Sequence, residues 1–512
     1  MSRFRLVAQN ISSAYLHAVA TVGFTLVSIP LALRYLSTEE FGLWVLATQI
    51  IGYLTLVDAG ITMATMRVLI DRKDRPNDGR YGAVIKTASL VLTIQGMLIA
   101  ALGFALGSWL PSIMEIPADH VGSFRWLMMG YGGLTGVLFP FRIFGTLLQA
   151  HHRLDLTNYF FMGSLPLNLA ALWIGLHNNL GIYSLLLGQA AAGLFAWGGQ
   201  AFTVVRLRFL PHPGAWGNFD VAVFKELLSF GSDLFLMSLG SQLVNASQIV
   251  IISQTLGLQA AAVWAIATKA FSLAQQFVWR LWDFSATAIA EMVVRDERAR
   301  LQQRFREIFV VTASLGVLAG GIIAACNESL LAVWTGSRIA WSGMNDFLMA
   351  LLFFTNSITR LHVGLLAPTK KVRAMRFVLF LEGLFFVAAA VGVARFLGVP
   401  GIIAAAILMN LLWTGIYGTY RTAEEFSLSL REVALRWMIP SARLALLFAP
   451  IAVLCWWLFQ PFPSLPRLIL MAAVTGAIGS WSFWKIGLTP SVKAELILRL
   501  GNVRKRLRPA TG

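Results

Sequence analysis

Five basic side chains stand inside long apolar segments of this chain, where charged residues are rare. They are Arg142, Lys269, Arg280, Arg360 and Arg443. An ionisable group inside a membrane helix costs about 2.5–3.5 kcal/mol on insertion scales, so it normally faces a cavity or a partner charge. Arg holds phosphate oxygens through paired N–H donors, and Lys holds them as a point charge. These cations therefore favour an anionic substrate bound within a membrane.

The depth of each cation in the membrane decides whether we expect it to line a cavity or to reach the lipid headgroups. Lys269 lies about nine residues inside the predicted outer end of its helix, or roughly 13 Å, and Arg360 lies about 20 Å from the outer end of its own. Both are too deep to reach the headgroups easily, so we expect them to line a cavity. Arg142 and Arg280 lie closer to the cytoplasmic boundary. Arg280 and Arg443 are also able to extend to the cytoplasmic headgroups along their apolar stems.

The acidic and amide side chains in these segments leave alternatives open. Asp58 either contributes to the cavity or locks neighbouring helices through their backbone. Asp283, three residues after Arg280, is spaced for an ion pair within one helix. Gln49 and Asn245 are able to bond sugar hydroxyls, or equally to hydrogen-bond one helix to another.

No arrangement of residues indicates an enzyme. The seven histidines are scattered without metal-ligand spacing on one helix face. His17 and His362, inside predicted helices, are open to a role in proton coupling. Cys326 and Cys455 offer no disulfide framework. The sequence predicts no catalytic residue, no cofactor and no metal site, and the small ligand expected is a coupling ion, H+ or Na+.

Composition identifies the elements that carry these residues. Of the 512 residues, 57% are apolar and only 13% are charged, which excludes a soluble surface. Apolar runs close to the roughly 20 residues of a spanning helix recur along the chain. They predict an all-α polytopic membrane protein of about fourteen helices: 11–34, 41–63, 83–109, 124–148, 159–177, 181–205, 227–255, 261–291, 308–332, 346–367, 376–397, 400–420, 438–459 and 466–487.

The basic residues also fix an expected orientation. The net charge of +17 comes mainly from short loops on the side of the two termini and from the tail, whereas few basic residues occupy the opposite loops. This distribution predicts cytoplasmic termini in a bacterial inner membrane. It also argues against nucleic acid as a partner, because the charges do not form one soluble face.

Two segments 220 positions apart are alike. Residues 36–49 and 256–269 share Leu36 with Leu256, Trp44 with Trp264, and an Ala-Thr pair near their ends. A duplication would make two parallel six-helix lobes around a central cavity, with an extra helix pair. The predicted domains are 1–210, a cytoplasmic linker at 211–226, a second lobe at 227–425, and helices 13–14 with the basic tail at 426–512.

The N-terminal region resembles a known family. The pattern runs through Asn10, Pro30, Phe41-Gly42-Leu43-Trp44, Asp58-Ala59-Gly60 and Arg67. It is similar to the polysaccharide-transporter branch of the multidrug/oligosaccharidyl-lipid/polysaccharide exporter superfamily, which includes O-antigen (Wzx-like) flippases. The resemblance implies transport of an undecaprenyl-diphosphate-linked oligosaccharide to the outer leaflet, coupled to an ion gradient.

The same resemblance extends to particular residues and partners. It implies cations lining the lumen, with Lys269 at a comparable position and Arg34 and Arg67 as further candidates. The expected partners are a lipid-linked oligosaccharide, membrane lipids, and polysaccharide polymerase or export machinery. A lipid II flippase and a multidrug/cation antiporter of the same superfamily remain alternatives. The antiporter predicts acidic rather than basic cavity residues. An O-antigen polymerase or ligase needs a longer outward loop, and a scaffold does not need buried cations.

Overall fold

The computed structural model describes residues 3–74, 78–114, 116–366, 368–369, 374–495 and 497–498. These residues are helical almost throughout, and none of them forms a strand. Eleven of their helical segments are long and apolar enough to cross a membrane. The predicted all-α polytopic membrane protein is therefore confirmed. The count of fourteen helices and their arrangement around a central cavity stay predictions. The basic tail beyond residue 498 and the basic residues at 370–373 lie outside the described part of the chain.

The chain packs as two units, Met1–Ala265 and Ile266–Gly512. The division falls inside α11 (Leu258–Ala267) and therefore beyond the predicted linker at 211–226. The predicted lobe boundaries stay a prediction. The helices of the first unit are α1 (Arg3–Tyr35), α2 (Thr38–Leu54), α3 (Ile61–Arg72), α4 (Arg80–Ile113), α5 (Ala118–Leu138), α6 (Arg142–Ala150), α7 (Leu154–His177), α8 (Tyr183–Arg206), α9 (Val221–Asn245), α10 (Ser247–Leu256) and most of α11 (Leu258–Ala267).

The second unit is organised around one long helix, α13 (Arg298–Thr335), which contacts α12 (Lys269–Val294), α14 (Gly343–Leu366), α17 (Ile439–Leu458) and α18 (Ser464–Ser482). At 38 residues it spans about 57 Å, well beyond the roughly 30 Å hydrocarbon core. The other helices of the second unit are α15 (Met375–Asn410) and α16 (Ile416–Glu425).

Local backbone chemistry explains the turn inside α15. Gly398 has φ 59° and ψ −146°, a conformation that side chains disfavour and that glycine adopts without steric cost. Pro400 follows, and proline lacks the N–H that a continuous helix would use. The turn separates the helices predicted at 376–397 and 400–420 within one helical segment, Met375–Glu425.

Glycines bring α4 and α5 into backbone contact. A Cβ added at Gly136 would stand 2.4 Å from the Gly96 carbonyl oxygen, and one at Gly132 would stand 2.9 Å from the Gly103 Cα. Gly132 and Gly136 have the four-residue spacing that lets membrane helices approach closely. Since lipid gives helices no hydrophobic drive to associate, this contact stabilises the pair through dispersion between the two backbones.

The segment between α8 and α9 packs against the start of α4 and the end of α6 within the first unit. The Phe209 ring stacks on His151 at 3.9 Å between centroids, and its carbonyl accepts a hydrogen bond from the Tyr81 hydroxyl. Lys86 Nζ donates to the Gly217 carbonyl at 2.7 Å. Asp220 then starts α9 by accepting from the N–H groups of the first turn, as N-cap residues do. The predicted linker thus begins against the ends of α4 and α6.

This docking is expected to weaken in mild acid. Burial lowers the pKa of His151 below its usual 6.5, with the Lys73 charge acting in the same direction. Because the folded-state pKa is depressed, the stabilisation is fully present above about pH 6.5 and is lost as the pH falls through the folded-state value. Amide protection factors of residues 207–220, corrected for the intrinsic pH dependence of hydrogen exchange, should be lower at pH 5.5 than at pH 7.5. His151→Gln should remove the pH dependence, and an unchanged pH profile in that variant would show that another group is responsible.

Candidate functional site

One face of α12 carries polar side chains over most of its length. Lys269, Ser272, Gln276 and Asp283 follow one another at helical spacing; Lys269 is partly buried and the other three are exposed. Residues 269 to 283 rise about 21 Å along the axis. Exposed polar side chains at membrane depth face a water-filled or substrate cavity rather than lipid. This face therefore supports the cavity-lining interpretation of Lys269.

A break in the helix sets the position of Lys269. The sequence predicts one continuous helix over 261–291, but α11 ends at Ala267 and α12 begins at Lys269, with Thr268 between them. The first N–H groups of a helix lack intrahelical acceptors and carry a partial positive charge. Lys269 adds a full charge at the same point, and no carboxylate among the described residues pairs with it. The start of α12 is thus suited to an anionic group.

Arg360 on α14 meets α12 near the middle of that helix. Its Nη2 lies 3.7 Å from Asp283 Oδ1, and its guanidinium carbon lies 5.2 Å from the centroid of the Trp279 ring. Asp283 thus pairs across helices with Arg360 rather than within α12 with Arg280. Both partners are nearly half exposed, at 45% and 42%, so the pair is solvated. Along α12, Asp283 and Lys269 are about 21 Å apart, so the structure places the two deep cations at separate levels of the second unit.

A second charged pair lies in the first unit. Arg142 Nη1 stands 4.0 Å from Asp58 Oδ2, and its guanidinium carbon lies 4.2 Å from the centroid of the Phe139 ring. Arg142 also lines a cavity of about 240 Å³ together with polar and aromatic side chains, among them Gln189, Ser164 and Trp197. The structure brings Arg142 and Asp58 together, as their shared membrane depth allows.

Asp58 has a local structural role as well. Its Oδ1 accepts from the Thr62 N–H at 3.1 Å and from the Thr62 hydroxyl at 2.9 Å. The chain turns between them because Ala59 and Gly60 both have positive φ, 47° and 76°. Asp58 therefore locks the start of α3 through its backbone, the second of the two interpretations offered by the sequence, while Oδ2 faces Arg142.

The remaining predicted site residues are dispersed. Gln49 is partly buried on α2, Arg67 is exposed on α3, and Arg280 is partly buried on α12. Asn245 ends α9 and donates its amide to the Ser241 carbonyl one turn earlier, at 2.8 Å. The structure does not gather these four around a common point.

Two buried groups have structural partners that the sequence does not reveal. Glu382, 3% exposed, accepts from the Asn410 amide at 3.1 Å and from the Thr414 N–H and hydroxyl. Asn410 precedes a π-helical turn at Leu411–Gly415 and Thr414 lies within it, and such turns often mark functional positions. His362 is fully buried and bonds Thr422 Oγ1 at 2.8 Å. Its side chain belongs to the core of the second unit.

The first half of the chain matches a known sequence family. The sequence profile described as "Polysaccharide biosynthesis protein" matches residues 7–281. The chain belongs to this polysaccharide biosynthesis family. One relative is the "Succinoglycan biosynthesis transport protein ExoT" of Rhizobium meliloti (strain 1021), which is 22% identical over 346 residues. That alignment covers 66% of this chain and 64% of the relative's length.

Solved structures identify the fold of this family member. The chain is similar to an inward-facing MATE multidrug transporter of the MOP superfamily, with TM-score 0.66, 12% identity, and coverage of 79% of this chain and 96% of that one. It is also similar to the lipid II flippase MurJ in an inward closed conformation, with TM-score 0.56, 12% identity, and coverage of 91% and 98%. The predicted resemblance to the polysaccharide-transporter branch is confirmed, and the fold is the one seen in these two solved transporters.

Proposed function

We propose that this polysaccharide-family transporter moves an undecaprenyl-diphosphate-linked oligosaccharide, an O-antigen or exopolysaccharide repeat unit, from the cytoplasmic to the outer leaflet. The observation that carries the proposal is the polar face of α12 headed by Lys269. A diphosphate needs cationic donors, and the positive end of a broken membrane helix next to a lysine supplies them.

A second cation of the same unit, Arg360, is suited to bind another part of the substrate. Arg360 is oriented by Asp283 and Trp279, which leaves donors of its planar guanidinium for a phosphate or an acidic sugar. Transport proceeds by alternating access in a bacterial inner membrane with both termini cytoplasmic. The proposed partners are the lipid-linked oligosaccharide, membrane lipids and polysaccharide polymerase or export machinery.

The direct test is flipping of a fluorescent undecaprenyl-diphosphate-sugar in proteoliposomes, read by reduction of the label in the outer leaflet. We expect protein-dependent translocation, and competition by unlabelled substrate but not by a neutral undecaprenol. Lipid II and a cationic dye serve as the two alternative substrates. Flipping of lipid II alone would favour the lipid II flippase, and dye efflux without lipid flipping would favour the multidrug antiporter.

A further inference from the structure

The cavity beside Arg142 in the first unit has the size of one small ligand. Helices α5, α7 and α8 line it together with Arg142 at the start of α6, and its volume is about 240 Å³. That volume corresponds to about eight water molecules at roughly 30 Å³ each. It lies below the range of about 300–1,000 Å³ that is typical of pockets for drug-sized molecules. The cavity therefore admits a ligand the size of one sugar ring and not a whole oligosaccharide.

Aromatic rings form the apolar walls of this cavity. Tyr131 stacks on Trp44 of α2 with 5.3 Å between ring centroids. Phe161 meets Trp197 edge to face, with centroids 5.4 Å apart and the planes at 90°. These contacts hold the rings in place, and small-ligand pockets combine such walls with a few polar groups. A sugar ring presents C–H groups on its faces and hydroxyls at its edge, so it suits walls of this kind.

The polar groups of the cavity match hydroxyls better than phosphates. Ser164 is 5% exposed, and its hydroxyl already donates to the Phe161 carbonyl at 2.8 Å. Towards a ligand it is therefore left to accept, and an ionised phosphate has no hydrogen to donate. Gln189, exposed on α8, carries an amide that both donates and accepts. A sugar hydroxyl does both as well, and so is able to bond to either side chain.

The charge at the cavity is already balanced. Arg142 is the single charged side chain among the described residues that line it, and Asp58 stands 4.0 Å from its guanidinium. An anionic ligand would bring a charge without a further partner into the membrane interior, where such charges are costly. The N–H groups of Arg142 remain able to donate to neutral oxygens. The cavity therefore favours an uncharged ligand.

We propose that this cavity binds one uncharged sugar residue and selects it by its hydroxyl pattern. The inference rests on the proposed function only for the source of the sugar, which is the glycan of the lipid-linked substrate. Trp197 and Phe161 contact the faces of the ring, while Ser164 and Gln189 bond its hydroxyls. The diphosphate is bound by Lys269 in the second unit, so the two units recognise different chemical parts of one substrate.

The test is saturation-transfer NMR with the purified full chain in lauryldimethylamine oxide, a detergent without a sugar headgroup. The probes are neutral methyl hexosides that differ in hydroxyl configuration, with methyl glucuronide and inorganic pyrophosphate as anionic competitors. We expect wild type to bind at least one neutral hexoside with a dissociation constant in the millimolar range, as befits so small a ligand. Neither anion should displace it. Gln189→Ala and Ser164→Ala should each weaken binding by about twofold to tenfold, the effect of one lost hydrogen bond.

Leu194→Ala is the matched control on α8. Leu194 is 61% exposed and is not among the residues that line the cavity, so this variant should bind like wild type. Absence of saturation transfer to every neutral hexoside in wild type overturns the proposal, whether or not the variants fold. Displacement by pyrophosphate or methyl glucuronide, or unchanged binding in both cavity variants, overturns it as well. These results leave the proposed function standing, because flipping is measured separately in proteoliposomes.

Discussion

Replacing Lys269 with alanine is expected to reduce transport of the lipid-diphosphate substrate by about tenfold to a hundredfold. A hydrogen bond to a charged group contributes about 1.5–3 kcal/mol, and each 1.4 kcal/mol corresponds to about a factor of ten. The variant keeps the helix start, since alanine is the best helix former, and Lys269 forms no ion pair with the described residues. Initial flipping rates in proteoliposomes with matched protein content measure the effect.

Two further variants show whether the loss is specific. Arg360→Ala removes the other deep cation of the same unit and should also reduce transport strongly without lowering membrane abundance. Arg443→Ala removes an exposed cation on α17 that is free to extend to the headgroups, so its effect should be mild. Full activity in both Lys269→Ala and Arg360→Ala would disprove the cationic-cavity proposal. Equal losses in all three would indicate a general effect of membrane charge instead.

The distribution of apolar runs and basic loops along the chain was sufficient to predict the class of fold. Apolar runs and their basic loops indicate spanning helices because lipid requires every backbone group to be bonded within its own helix. Breaks inside such runs are less visible. Thr268 interrupts the predicted helix at 261–291, and neither glycine nor proline stands at that break. The turn inside α15, in contrast, is indicated by its residue types, Gly398 and Pro400.

The candidate site was predictable only as a set of residue types and depths. The depth of Lys269 and Arg360 follows from the rise of a helix, but the partner of each does not. Asp283 has Arg280 within reach along α12 and nevertheless pairs with Arg360 on α14. Ser164 and Gln189 line one cavity from different helices, and no local pattern joins them. Such contacts depend on how helices rotate and pack, which single-sequence patterns do not encode.

Gly136→Ala is expected to be strongly destabilising although it adds only one methyl group. Its Cβ would stand 2.4 Å from the Gly96 carbonyl oxygen and 2.9 Å from the Ala100 side chain. Overpacking typically costs about 1–3 kcal/mol and occasionally more. Because the clash is with backbone, no side-chain rotation relieves it, and α4 and α5 must separate along their glycine contact. Thermal unfolding of the purified variant and its abundance in membranes should both fall clearly below wild type.

Gly133→Ala provides the control on the same helix. A Cβ there meets nothing within 4 Å, and replacing a mid-helix glycine with alanine favours the helix by about 0.5–1 kcal/mol. This variant should therefore be as stable as wild type or slightly more stable. If Gly136→Ala unfolds at the same temperature as Gly133→Ala, the two helices do not approach at Gly136. If Gly136→Ala alone is destabilised, the glycine pair is a structural requirement of the first unit, and loss of transport in that variant reports packing and not substrate binding.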